Sequence, residues 1–218
     1  MPNKTVTQEN DMTTTHTPTP ARSDLHTGSP RTTAPVAPPF RKHGLALTGG
    51  ALLWATSFLH FGPNPTDSSG LVLFGLMSGS FQLGLLALLR VLWRTRALGE
   101  GRIARAVLRI ETVFVSLAIC STFVDAIGVS DLSQPGWIVL DAFWPLSMLG
   151  MFFIGIRIAV AGRWKGLTRF WPLVAESWAM VVIPTMGIFG EDVAKYVAAL
   201  HLLVGYAVLG VLVSRKES

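Results

Sequence analysis

Charge is scarce in this chain. Only 14% of its 218 residues are Asp, Glu, Lys or Arg, where a soluble domain carries about 25%. That shortage excludes a large soluble domain, whose wet surface needs more charge than this. Cysteine is almost absent. Cys120 is the only one, so no disulfide forms within the chain, and its apolar neighbours predict a small buried residue in a helix. Three of the five histidines (His16, His26 and His43) fall in the first 43 residues, which with one cysteine excludes a cysteine–histidine metal site. A Gly-rich phosphate loop, a GxSxG elbow and HExxH are all missing. No cofactor is expected, and a catalytic role has no motif behind it. Strand-like alternation is missing too, which argues against a β-barrel.

Apolar sequence is plentiful. Half the residues are hydrophobic, and they gather into six stretches: 44–61, 71–92, 104–129, 137–160, 170–189 and 193–213. A span needs roughly 20 apolar residues to cross about 30 Å of hydrocarbon. Backbone groups in lipid must bond within their own segment, so helices are the natural form. The expected fold is an all-α polytopic transmembrane bundle of six spans over residues 41–216.

Basic residues collect beside every second gap. Arg41 and Lys42 precede the first span, and Arg90, Arg94, Arg96, Arg102, Arg105 and Arg109 surround the second gap. Arg157, Arg163, Lys165 and Arg169 surround the fourth, and Arg215 and Lys216 follow the last span. The opposite gaps hold only Lys195. Basic flanks resist translocation, so the pattern predicts the inner (cytoplasmic) membrane with both termini inside. The net charge of +5 therefore points to anionic lipid head groups rather than nucleic acid. Arg102, Arg105 and Arg109 recur at helical spacing and are the expected head-group contacts.

Residues 1–40 hold ten threonines and seven prolines. Such a segment buries too little apolar surface to offset its ordering entropy and reads as a disordered cytoplasmic tail, either simply solvated or a docking site for a cytoplasmic partner. Nothing suggests a cleaved leader. Trp93, Trp137, Trp164 and Trp171 lie near span ends, where indoles favour the interface. Gly75 with Gly79, and Ser80 with Gly84, form small-xxx-small steps that suit helix packing inside the bundle, or else a homo-oligomer seam.

Ionisable groups at membrane depth are costly and mark candidate sites. Asp125 and Asp141 flank the short third loop and should sit at one level near the outer face. If they face each other, they carry a single negative charge between them. Pro145 removes the helix bond to the Asp141 carbonyl, and Pro184 does the same to Met180. Two kinked helices with His60 would then shape an outward cavity that binds a proton or cation. The bland alternative has both carboxylates hydrated among head groups. Toward the inner side, Glu176 is expected to pair with Arg157 or Arg109. Alternatively, Glu111 and Glu176, with His201 midway, form a proton relay. His60 and His201 lie at depths about 10 Å apart, which argues against a shared haem.

The Gly62-Pro63-Asn64-Pro65 loop, with size and topology, resembles the small six-helix integral membrane proteins of GC-rich bacteria. The resemblance covers Arg41 to Lys216 and implies a bundle but no activity. The leading expectation is a small carrier or proton-coupled permease. The alternatives are a non-catalytic accessory or regulatory membrane protein and, behind it, a lipid-modifying enzyme.

Overall fold

The computed structural model describes residues 39–131 and 133–216. The expected tail lies outside them but for its last two residues. The described chain is all-helical, with no strand. Six helices are long and apolar enough to span a membrane: α1 (Arg41–Phe61), α2 (Ser68–Arg94), α3 (Arg102–Ala126), α4 (Pro135–Ala161), α5 (Leu167–Phe189) and α6 (Glu191–Ser214). Each begins two or three residues before its apolar stretch, because polar residues at the ends extend a helix past the hydrocarbon.

Local chemistry sets the ends. Asp67 caps α2 by accepting from the Gly70 N–H at 2.7 Å, meeting one of the four donors a helix start leaves free. Its own carboxyl is held below the ordinary range by the Ser69 hydroxyl and that N–H. Pro135 opens α4, where a missing N–H costs nothing. Gly190 joins α5 directly to α6 at φ 79°, a left-handed turn that side-chain-bearing residues resist.

Neighbouring helices run antiparallel and meet through small residues. A side chain at Gly44 would strike the backbone of Gly210 and Ser214, so α1 and α6 touch backbone to backbone at the end rich in arginine. Gly84 lies against Leu47 of α1, and Gly75 against Ala126 of α3. Both small-residue steps in α2 thus contribute to contacts inside the bundle. Outward faces are apolar on every helix, with Leu52, Leu73, Val113, Phe153, Ile183 and Leu200 exposed.

Three helices are irregular. α4 is interrupted at Ala142, next to the Asp141 carbonyl that Pro145 leaves without a donor. Pro184, by contrast, sits in the unbroken stretch Trp178–Phe189. The break in α5 comes earlier, at Ser177, whose hydroxyl donates back to the Val174 carbonyl at 2.8 Å; such back-bonds bend helices. In α6, Leu202–Ala207 forms a π-helix. Its wider turn loosens carbonyls, and side chains from other helices take them up. The Trp171 indole donates to Val204 at 3.0 Å and Gly205 at 3.1 Å, and Thr48 donates to Ala207 at 3.1 Å.

Several side chains face the other way from expectation. Cys120 is exposed on α3 rather than buried, because Val115 and Ala118 take the inward face of that helix. Trp164 is buried and donates to Thr95 Oγ1 at 3.0 Å. With Trp171 donating to α6, two of the four terminal indoles make hydrogen bonds within the protein.

Candidate functional site

The first loop, α2, α3 and α4 enclose a cavity of about 300 Å³ at the end of the bundle opposite the arginines. Asp125 and Asp141 both line it. α3 stops at Ala126, three residues earlier than its apolar run, and an irregular link carries the chain to Pro135. That longer link lets Asp141, six residues into α4, reach the cavity beside Asp125 at the very end of α3. Ser121 lines the same cavity. The Asn64 amide donates to Glu191 Oε1 at 2.6 Å and ties the loop over the cavity to the start of α6. His60 does not join them. It is exposed, its ring set edge-on to Phe61 at 4.6 Å, because the inward face of α1 at this level belongs to Phe58.

Trp54 forms the floor of the cavity and the hub of an aromatic cluster. It stacks on Phe81 at 4.7 Å, lies 5.1 Å from Trp178, and meets Trp144 edge-on at 6.2 Å. These contacts join α1, α2, α4 and α5. Trp54 and Trp144 also roof a second, enclosed void of about 10 Å³, room for roughly one water molecule. Gln82, Ser147, Glu176 and Tyr206 lie around it.

Glu176 and Glu111 are both buried, at 2% and 3% exposure. Each lies nine residues from the start of its helix and Tyr206 eight from the end of α6, so all three stand about 12–14 Å inside the bundle. The Tyr206 hydroxyl donates to Glu176 Oε2 at 2.6 Å. The Glu111 carboxylate occupies the space left free by Gly150, where even a methyl group would collide with it. Among the described residues, Glu111 Oε1, Glu176 Oε1 and Gln82 Oε1 have no hydrogen-bond partner.

The expected ion pair of Glu176 with Arg157 or Arg109 does not form. Among the described residues the ion pairs are Arg96–Glu100, Arg163–Glu100 and Lys195–Asp192, all near helix ends. Arg157 is exposed, and Arg109 lies over Trp93 at 5.4 Å. A guanidinium drawn to the middle of the bundle would leave its water-accessible end, whereas a phenol adds no charge there. Glu100 holds its carboxyl below the ordinary range through Arg96 and Arg163. Arg102, Arg105 and Arg109 are exposed on one face of α3.

His201 lines neither cavity. Its Nε2 lies 3.1 Å from Ser177 Oγ, and its Nδ1 is buried without a partner. A different polar route connects the two cavities: Gln82 Nε2 donates at 2.8 Å to Thr122 Oγ1 on the wall of the larger one, while Gln82 also borders the smaller. Gln82, Thr122 and Tyr206 are uncharged, so a search for ionisable groups passes over them. Their signal in the sequence is polarity inside apolar runs. Among the described residues no group of three acidic, histidine or cysteine side chains is placed to hold a metal. No protein-family description, no curated protein and no solved structure matches this chain.

Proposed function

We propose that this multi-pass membrane protein is a small proton-coupled permease. The basic end faces the cytoplasm, since arginine-rich links resist translocation, and the cavity with Asp125 and Asp141 opens outside. One observation carries the reading. Two carboxylates sit in the middle of the bundle without a cationic partner among the described residues, and polar groups lead to one of them from an open cavity. A bare carboxylate in such a place is very costly, so Glu111 and Glu176 each hold a proton or a cation. A structural role would be served better by leucine. The route runs from Asp125 and Asp141 past Thr122 and Gln82, through the one-water void, to Glu176 and Tyr206.

Helix breaks support the same reading. Interrupted helices in membrane proteins line sites that change shape, and those at Ala142 and Ser177 lie within one residue of Asp141 and Glu176. Trp54 and Trp144 separate the open cavity from the enclosed one, so passage requires α4 to shift at its break. The exposed face of Arg102, Arg105 and Arg109 supports contact with anionic head groups. Proteoliposomes carrying an internal pH dye test the function. Under an imposed potential, wild-type vesicles acidify faster than empty ones. Asp125→Asn, Asp141→Asn and Glu176→Gln each lower that rate at least tenfold while the protein remains monodisperse. Wild-type rates in all three variants would overturn the reading.

A further inference from the structure

The chemistry of the larger cavity is one-sided. Among the described residues its charged groups are Asp125 and Asp141, and no Arg, Lys or His lines it. Trp54, Phe74 and Trp144 add aromatic faces to an apolar wall that also holds Pro63, Pro65 and Leu71. Carboxylates set among aromatic faces favour an organic cation, because the ring quadrupole attracts positive charge that the carboxylates neutralise. At about 300 Å³ the cavity matches the lower end of small-molecule sites.

We propose that the cavity binds a small organic ammonium ion, with the cationic head between Asp125 and Asp141 and its alkyl groups against the aromatic faces of Trp54, Phe74 and Trp144. The inference rests on the permease reading in one respect: it gives the carrier its substrate class. Binding itself needs no transport, so the two can fail separately.

The test uses the full chain purified in mild detergent, with intrinsic tryptophan fluorescence and calorimetry as readouts. The probes are choline, ethanolamine, and 3,3-dimethylbutan-1-ol, which has the shape of choline without its charge. At least one of the two cations binds tenfold or more tightly than the neutral alcohol. Asp125→Asn combined with Asp141→Asn removes that preference, while Asp192→Asn, which neutralises an exposed acid outside the cavity, leaves it intact. Equal affinity for the neutral alcohol, or no binding of either cation, overturns the proposal. That comparison needs only the wild-type chain, so it decides even if the double variant misfolds. Cation binding without vesicle acidification would keep the site and remove the permease reading. Acidification without cation binding would do the reverse.

Discussion

The helices α1, α2 and α6 are built differently from α3, α4 and α5. In the first group, 44%, 39% and 56% of the apolar window is buried, against 28% in each of the second. Glycine contacts between backbones draw the first three together, at Gly44 with Gly210 and Gly84 with Leu47. All four candidate acids belong to the second group: Glu111 and Asp125 on α3, Asp141 on α4 and Glu176 on α5. The groups that meet them from the central three are neutral, Gln82 on α2 and Tyr206 on α6. The more buried centre thus presents uncharged groups to acids carried on a less buried rim. Relative movement of the two would change what each acid touches without unfolding either.

The sharpest way to break this contrast is to overfill the centre. Gly210→Leu drives a side chain into Gly44 and Thr48. Overpacking costs roughly 1–3 kcal/mol even where side chains can yield, and here backbone is struck, so little monodisperse protein should survive in detergent. Gly49→Ala meets nothing within 4 Å and should match wild type in the same thermal assay. Equal losses would mean that α1 and α6 do not form a tightly packed centre.

A smaller effect is expected at the rim. Pro145→Ala returns a donor to the Asp141 carbonyl and should make α4 continuous through Ala142. Stability rises by up to about 3 kcal/mol, the usual cost of an interior proline, while proton flux falls severalfold. A faster carrier with a straighter α4 would show that the break is incidental.

The smallest effect concerns the links. Asp67, Asp131 and Glu100 all have carboxyls held below their ordinary range, Asp131 by the Ser133 hydroxyl and N–H and the Gln134 amide. Depressed values mean that folding favours the charged form. Their contribution is therefore complete above the unfolded values near pH 4 and is lost as pH falls through the lower folded values. Hydrogen exchange, corrected for its intrinsic rate, should quicken in the three links between pH 5 and pH 3 and stay level in α1 and α6. Uniform quickening would argue against links that respond separately from the central helices.

The spans were legible because length and apolarity alone define them, and each observed helix lies within three residues of its apolar run. The common level of Asp125 and Asp141 and the break beside Pro145 were legible for the same reason, since both follow from distance along the chain. Rotation was not, and whether the two carboxylates share a cavity depends on it. In a soluble helix, polarity separates the wet face from the buried one, but in lipid both faces are apolar and that signal fades. So Cys120 turns outward, while Trp171 reaches across to α6. The partner of Glu176 was missed because Tyr206 reaches it from 30 residues away, and charge complementarity favoured an arginine. The Ser177 break was missed because serine also occurs in unbroken helices.

The close contact of Gly44 with Gly210 has a consequence for biogenesis. α1 meets α6, which follows it by five helices along the sequence, backbone to backbone. Until that helix is synthesised, Glu176 waits in the bilayer without the phenol that later binds it, and α1 offers an empty seam. A nascent chain of five spans is thus an unfinished membrane protein with a polar wound, the kind of intermediate that insertases shelter and quality-control proteases remove.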